Sequence, residues 1–274
     1  MLVYAAVAEL VQKQIARSRI GAHLAIKLKH QCDAILGARL GTSINLATNG
    51  ERWLIEQIAP RSQFFIDVGA NVGNWSREFA SRMPGIARGI AFEPSPATAA
   101  QLRTRLADYN GVEIVQCAIS DRSGTATFYA ETNCGETSSL IHGHSQIDAR
   151  KLSVQVSTLD VEIAKRKIAS VDLLKIDAEG FDFHVLRGSE DSLNNQKIDV
   201  IEFEYNSPWA QSGATLAGAY SFLQIKGYDV FLLRGPGLFR IDPAYVGEYF
   251  RYSLFVAVRK NSHIHEISRG AKVL

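Results

Sequence analysis

The segment 64–74, Phe-Phe-Ile-Asp-Val-Gly-Ala-Asn-Val-Gly-Asn, constrains the fold more than any other part of this chain. Its apolar beginning predicts a buried strand, and its glycines predict a tight turn that opens a helix. Glycine permits positive φ and a close approach of a ligand to the backbone, so Gly69 and Gly73 indicate a nucleotide pocket at this turn. We therefore expect an α/β fold with its ligand at the end of this strand.

Asp67 narrows the choice of ligand. A carboxylate two residues before the first glycine would repel a pyrophosphate, but it would attract an ammonium group. The two glycines lie four residues apart with Asn71 between them, which departs from the G-x-G-x-x-G pattern of dinucleotide-binding proteins. S-adenosylmethionine carries an amino group and a sulfonium but no phosphate, so the segment predicts a methyl-donor site.

Strands and helices alternate from residue 64 onward. After the first strand, apolar runs predict strands at 89–93, 112–119, 171–176, 200–205, 228–233 and 252–258. This alternation predicts a mostly parallel sheet with helices on both faces, which binds ligands at the carboxyl ends of its strands. Residues 51–262 are expected to form this domain, with an insertion at 122–158 and a C-terminal tail at 263–274.

Residues 1–50 are predicted to form an N-terminal helical extension. Its first 45 residues combine an imperfect apolar stripe with an excess of basic residues. We expect the extension to pack on the main domain or on a second copy in a homo-oligomer, and shallow contact with a membrane surface is the alternative. No run approaches the roughly 18 apolar residues of a transmembrane helix, so no such segment is expected.

Composition excludes several classes of partner. The chain has 274 residues and a formal charge of +2, so no general attraction to nucleic acid or to acidic membranes is expected. No basic stripe with interleaved aromatics occurs, so a nucleic-acid partner is not expected. Its three cysteines, Cys32, Cys117 and Cys134, are scattered and without metal-site spacing. Together with the absence of a recognisable signal peptide, this pattern favours a reduced, cytoplasmic location.

Two more acidic residues follow predicted strands. Glu93, twenty-six residues after Asp67, could accept both ribose hydroxyls of an adenosine, or it could only favour the helix that Ser95 caps. Asp121 follows the third strand, where it could reach the adenine amino group or merely start the turn before Gly124.

The second informative segment is 172–182, in which a buried strand delivers Lys175, Asp177 and Glu179 before Gly180 turns the chain. Charged groups at a strand end are costly to bury unpaired, so they are either functional or a structural ion-pair cluster. A hydroxyl acceptor needs a base. Our hypothesis is that Asp177 or Glu179 takes the proton while Lys175 balances the charge.

Other residues could share this chemistry. His142 and His144 in the polar loop 131–146 are alternative bases, because histidine titrates near neutral pH. Glu202 and Glu204 on the next strand could support the site or bind Mg²⁺ or Ca²⁺, although no ligand set is specific.

With these motifs in place, the chain resembles the FkbM family of S-adenosylmethionine-dependent methyltransferases. The resemblance covers about residues 64–204 and is carried by Asp67–Gly73, Phe92-Glu93-Pro94, Ala118–Asp121 with Gly124, Ser138-Ser139-Leu140, Thr158-Leu159-Asp160, Asp172–Gly180 and Leu186-Arg187-Gly188. It implies a Rossmann-like, seven-stranded, mostly parallel sheet of the class I methyltransferase type with one antiparallel strand. It also implies O-methylation of a hydroxyl on a small molecule or sugar.

The donor-binding residues expected on this basis are Asp67, Gly69, Asn71, Gly73, Glu93, Ser120 and Asp121. Two alternatives remain open. One is a nicotinamide-dependent oxidoreductase, which Asp67 and the glycine spacing disfavour. The other is a non-catalytic protein that binds the donor or serves as a scaffold, because a fold alone does not establish activity.

Overall fold

The computed structural model describes residues 2–130, 139–141 and 150–274. The chain divides into two compact units, Met1–Gly41 and Thr42–Leu274. The first contains the helices α1 (Leu2–Arg17) and α2 (Arg19–Leu40), which lie within the segment 1–50 where the sequence predicts a helical extension. Ser18 separates them and caps α2, since its side chain accepts a hydrogen bond from the backbone N–H of Gly21. Within the described ranges, no helix combines the length and apolar character needed to cross a membrane.

The second unit alternates helices and strands. In chain order they are α3 (Glu51–Ile58), β1 (Phe65–Val68), α4 (Asn74–Ala80), β2 (Gly89–Phe92), α5 (Pro96–Arg105), β3 (Val112–Val115), β4 (Ala118–Ile119), β5 (Gly124–Ala130), β6 (Arg150–Ser157), α6 (Leu159–Lys165), β7 (Val171–Ile176), α7 (Asp182–Arg187), α8 (Glu190–Asn194), β8 (Ile198–Tyr205), α9 (Trp209–Ser212), α10 (Leu216–Ile225), β9 (Tyr228–Leu233), β10 (Leu238–Arg240), α11 (Pro243–Val246), β11 (Ser253–Arg259) and β12 (Lys272–Val273). Short 3₁₀ helices occupy Ala59–Arg61 and His265–Ser268.

The main sheet has the order β12-β10-β9-β11-β8-β7-β1-β2-β3 among the described residues. Strands β3, β2, β1, β7 and β8 are parallel, and β11 runs antiparallel to both of its neighbours, β8 and β9. The seven strands from β3 to β9 therefore form the predicted class I methyltransferase sheet with one antiparallel strand. The structure adds β10 and β12 at one edge, which makes nine strands in place of seven. Strands β10 and β12 have only three and two residues, which is too short to produce a periodic pattern of apolar residues in the sequence.

The predicted third strand, 112–119, was wrong as a single element. The chain leaves the main sheet after β3, where the N–H of Cys117 donates to the carbonyl of Val115. Strand β4 then pairs with β6 in a separate three-stranded sheet of order β4-β6-β5. An apolar run shows that a segment is buried, but it does not show which sheet the segment joins.

The insertion 122–158 contributes β5 and β6, which pair antiparallel from Gly124↔Val156 to Ala130↔Arg150. His142, His144 and most of the loop 131–146 lie outside the described residues. The segment 263–274, predicted to be a tail, is part of the second unit instead. Its strand β12 pairs parallel with β10 through Phe239↔Lys272.

Candidate active site

A cavity of about 710 Å³ lies at the carboxyl ends of β1, β2, β7 and β8. This is the edge of a parallel sheet at which ligands bind in α/β folds. Seven residues that the sequence predicts as site residues line it: Asp67, Gly69, Asn71, Glu93, Lys175, Asp177 and Glu179. The structure thus brings both predicted segments into one site.

Asp67 is completely buried at the end of β1. Its Oδ2 accepts a 2.5 Å hydrogen bond from Ser76 Oγ, and no hydrogen bond reaches Oδ1 within the described part of the chain. Burial raises the pKa of Asp67 to about 6, although the nearby Lys175 ammonium opposes the shift. Lys175 therefore already balances part of the charge that the sequence interpretation assigned to a ligand ammonium, and direct contact of Asp67 with the donor stays a prediction.

The two glycines of the first motif have different tasks. Gly69 has a φ of +79°, and a Cβ built on it would lie 1.9 Å from the backbone oxygen of Asp177, so only glycine fits between β1 and β7 here. Gly73 has a φ of +86°, and its Cβ would meet Leu102 Cδ1 of α5 at 2.5 Å. Gly73 is not among the residues that line the cavity; it lets α4 begin close to α5.

Glu93 follows β2 and is held by two backbone groups. Its Oε2 accepts from the N–H of Asn71 at 3.1 Å, and its Oε1 accepts from the N–H of Ser95 at 2.8 Å. Ser95 in turn caps α5, so Glu93 also supports this helix start, as the alternative interpretation proposed. Burial raises the pKa of Glu93 to about 7. Each carboxylate oxygen has a second lone pair, so the group can still accept from ribose hydroxyls.

Ser120 and Asp121 lie outside this cavity. Ser120 lines a second, smaller cavity of about 390 Å³. Asp121 Oδ2 accepts a 2.5 Å hydrogen bond from Arg187 and lies 3.2 Å from His184 Nδ1, so its carboxylate is engaged in an ion pair. Contact of these two residues with the donor stays a prediction. The cavity wall beyond β3 is formed by Cys117, Ala118 and Ile119.

Lys175 is the centre of the charged cluster. The strand register places Asp67 of β1 and Glu202 of β8 directly opposite it, on the same face of the sheet. Its Nζ donates a 2.8 Å hydrogen bond to Asp177 Oδ2 and lies 5.9 Å from the ring centroid of Trp75. Burial alone would lower the pKa of Lys175, but the carboxylates of Asp177 and Asp67 raise it well above its usual value. The ammonium is therefore charged at any physiological pH.

The acidic residues around Lys175 differ in exposure. Glu202 and Glu204 on β8 are buried, which raises the pKa of both well above the usual value. Neighbouring carboxyls strengthen the shift, namely Glu51 beside Glu202 and Asp177 beside Glu204. By contrast, the side chain of Asp177 is 35% exposed.

The turn after β7 is held in a strained conformation. Glu179 has a φ of +47° and Gly180 a φ of +99°, and the buried carboxylate of Asp182 accepts from the N–H groups of Ala178 and Gly180. Ser139 Oγ donates a 2.8 Å hydrogen bond to the backbone oxygen of Glu179. Positive φ at a residue other than glycine is uncommon and clusters at functional sites. These contacts fix Asp177 and Glu179 at the cavity.

The sequence reasoning missed several cavity residues as site residues, among them Glu51, Arg251 and Tyr252. Glu51 lines the cavity from the first turn of α3, where Gly50 is the N-cap and Asn49 Oδ1 accepts from the N–H of Glu51. Arg251 and Tyr252 line it from the loop before β11. No motif signals them, because they are distant in sequence and meet the site only through the sheet order.

The described residues contain one group that could hold a metal ion, formed by Asp172, Asp199 and His263. Asp172 and Asp199 are the second residues of β7 and β8, so this group lies at the opposite end of these strands from the cavity. Glu202 and Glu204 are not part of it. A metal ion in the cavity stays a prediction.

Comparison with known proteins identifies the family. Residues 67–230, more than half of the chain, match the methyltransferase FkbM domain. The chain belongs to the FkbM methyltransferase family. A protein named Methyltransferase 1 from Beauveria bassiana is 30% identical over 200 residues, which cover 64% of this chain and 76% of the relative. The 31-O-demethyl-FK506 methyltransferase FkbM of Streptomyces tacrolimicus is 28% identical over 66% of this chain and 75% of its own length. The 2-O-methyltransferase NoeI of Sinorhizobium fredii is 23% identical over 56% and 68%.

The methyl donor of this FkbM-family protein is S-adenosylmethionine, and the cavity residues fit it. Gly69 lets the backbone at the end of β1 lie against that of Asp177 beside the cavity, and Glu93 offers fixed acceptor oxygens to a ribose. The donor carries no phosphate, which agrees with the buried carboxylates of Asp67 and Glu93. These residues suit a nucleoside with positive charge better than a dinucleotide.

Proposed function

We propose that this protein methylates a hydroxyl oxygen of a small molecule or a sugar. Two relatives have names that specify O-methylation, the 2-O-methyltransferase NoeI and the 31-O-demethyl-FK506 methyltransferase FkbM. The observation that carries the proposal is the accessible carboxylate of Asp177, which is paired with a buried ammonium at the wall of the donor cavity.

A hydroxyl group is a weak nucleophile until it loses its proton, so an O-methyltransferase needs a base. Asp67, Glu93 and Glu204 are almost completely buried, which leaves little of each carboxyl for an acceptor to contact. Asp177 faces the cavity with a third of its side chain exposed. Its Oδ2 accepts a 2.8 Å hydrogen bond from Lys175, which holds the carboxylate in place at the cavity wall.

In the proposed reaction the acceptor O–H gives its proton to the Asp177 carboxylate while the oxygen forms a bond to the methyl carbon. The bound donor supplies that methyl group from a sulfonium, whose S–CH₃ bond breaks. Lys175 keeps Asp177 oriented and balances its charge. Glu93 and the backbone around Gly69 position the donor, and such positioning accounts for much of the rate enhancement in a displacement of this kind.

Residues from two distant loops form an apolar wall of the cavity. Ile44, Leu46, Phe250 and Tyr252 line it together with the charged cluster on β7 and β8. Ligand pockets combine apolar and aromatic walls with a few fixed polar groups in this way. The arrangement supports an acceptor that presents one hydroxyl to Asp177 and packs an apolar molecular face, or the face of a sugar ring, against this wall.

The test uses the full chain, radiolabelled S-adenosylmethionine, and two panels of acceptors. One panel contains glycosides and hydroxylated macrocycles, and the other contains amines of similar size. We expect label in hydroxylated acceptors only. Label in the amines alone would contradict O-methylation, and donor binding without transfer to any acceptor would favour the non-catalytic alternative.

Variants then test the base. Asp177→Asn should lower kcat by about 10²- to 10⁴-fold at saturating donor, with donor affinity unchanged. Glu179→Gln is the matched control in the same turn and should lose less than about tenfold. Full turnover by Asp177→Asn would exclude Asp177 as the base. A loss of kcat confined to Glu179→Gln would assign the base to Glu179. Activity that survives exhaustive chelation would exclude a required metal ion.

A further inference from the structure

Helices α1 and α2 hold most of the large apolar side chains that are exposed in the described part of the chain. Of the fifteen large apolar side chains that are exposed within the described residues, nine lie between residues 10 and 36. Large exposed apolar patches on soluble proteins mark interaction surfaces, so the arrangement of these side chains on the helices matters.

Four of these residues form a stripe along α2: Ile20, Leu24, Leu28 and Ile35. Their exposed fractions are 75%, 60%, 66% and 69%, so neither α1 nor the rest of α2 covers them. At 3.6 residues per turn, the spacings of four, four and seven place all four side chains on one face of the helix. We call this set the α2 stripe.

Basic residues accompany the α2 stripe. By helical position, Lys27 lies on one side of it and Arg39 on the other. Residues 1–41 contain six Lys or Arg and two acidic residues, a formal charge of +4, whereas the whole chain carries +2. The remaining residues therefore carry −2, and the excess of positive charge lies in the unit that exposes the apolar stripe.

This charge decides between two occupants of the stripe. A second copy would bring another +4 to the same contact, and like charges across an interface oppose association. A bilayer that contains anionic lipids offers opposite charge and an apolar interior, and basic residues that flank an apolar stripe can lie at the level of its phosphates. We infer that α2 attaches the protein to the surface of an anionic membrane, with the α2 stripe at the boundary between headgroups and acyl chains.

Co-sedimentation of the full chain with lipid vesicles tests this inference. We expect binding to phosphatidylcholine vesicles that contain about 30% phosphatidylglycerol, and weaker binding to phosphatidylcholine alone or in high salt. Leu24→Gln/Leu28→Gln/Ile35→Gln should reduce the partition coefficient by about 100-fold, because three apolar side chains no longer enter the bilayer. Lys27→Gln/Arg39→Gln should reduce it by about 30-fold on anionic vesicles.

Controls separate lipid binding from loss of structure. Glutamine has a good helix propensity, so circular dichroism should show unchanged helix content in the stripe variant. The matched control is Ile86→Gln/Ile225→Gln/Val273→Gln, which removes three apolar side chains of similar exposure outside α1 and α2 and should bind vesicles like the unmodified protein.

Three results would overturn the inference. The first is no binding to anionic vesicles, and the second is a folded stripe variant that binds as well as the control. The third comes from light scattering: a dimer that the stripe variant converts to a monomer would assign the α2 stripe to a second copy.

Discussion

Replacing Lys175 by methionine should destabilise the protein in a pH-dependent way. Lys175 is a buried cation with 7% of its side chain exposed, hydrogen-bonded to Asp177 and flanked in the sheet by Asp67 and Glu202. Methionine fills a similar volume but leaves these carboxyls without their cation. Breaking a buried ion pair by removal of one partner typically lowers the free energy of unfolding by about 3–5 kcal/mol. We expect a loss of that size at about pH 8.

The pH dependence follows from the pKa of Asp67, which burial already raises to about 6 against the opposing charge of Lys175. Without Lys175 this pKa rises further. A carboxyl whose pKa is higher in the folded than in the unfolded state binds protons on folding, so the folded state gains stability as pH falls through that pKa. The loss of unfolding free energy in Lys175→Met should therefore be smaller at about pH 5.5 than at about pH 8. The difference should reach up to about 1.4 kcal/mol for each unit by which the substitution raises the pKa of Asp67.

Guanidinium-induced unfolding at both pH values measures this effect, with Lys226→Met as the matched control. Lys226 also has 7% of its side chain exposed, but its partner Glu190 is a single, half-exposed carboxylate. Lys226→Met should lower the free energy of unfolding by less than about 1 kcal/mol, and by a similar amount at both pH values. A Lys175→Met variant that loses no more than this control, equally at both pH values, would refute the account of the charged cluster.

Three further substitutions test the geometry of the site. Gly69→Ala should weaken S-adenosylhomocysteine binding by more than about tenfold in calorimetry, because the new Cβ collides with a backbone oxygen. The control is Gly85→Ala, which has a similar φ of +68° but open space around its Cβ and should bind normally. Equal effects of the two substitutions would assign the loss of affinity to backbone strain alone. The affinity of the wild-type protein for S-adenosylhomocysteine should rise by up to about tenfold per pH unit as pH increases toward 7, because the ionised form of Glu93 accepts the ribose hydroxyls. Glu93→Gln should flatten this pH profile. A Glu93→Gln variant that keeps the full pH dependence would exclude Glu93 as its source. Gly188→Ala should lower the free energy of unfolding by about 2–4 kcal/mol, since the new Cβ would lie 2.0 Å from the carbonyl oxygen of Ser120. The control Gly270→Ala has open space around its Cβ and should leave the free energy of unfolding unchanged. Equal unfolding midpoints for the two variants would contradict the packing argument.

The parts of the site that could be predicted from sequence are local. Asp67, Gly69 and Glu93 occur at strand ends within short motifs, and a strand followed by a glycine turn fixes their place at the carboxyl edge of a parallel sheet. The same holds for Lys175 and Asp177 on β7. Their side chains converge because β1 and β7 are neighbours in the sheet.

The parts of the site that could not be predicted from the sequence depend on long-range packing. Glu51 and Tyr252 reach the cavity from opposite ends of the second unit, and no spacing in the sequence links them to the motifs. Asp121 has the right position after a strand, yet Arg187 and His184 of α7 engage its carboxylate. The sequence identifies charged residues at strand ends, but their partners depend on which helices pack beside them.

The central claim is that the donor binds at the ends of β1 and β2, and calorimetric titration with S-adenosylhomocysteine tests it most directly. We expect binding with a Kd of about 1 μM, lost in Glu93→Ala and retained in Glu113→Ala, which removes an exposed carboxylate on β3 instead. Unchanged affinity in Glu93→Ala, or no binding to the folded wild-type protein, would contradict the claim.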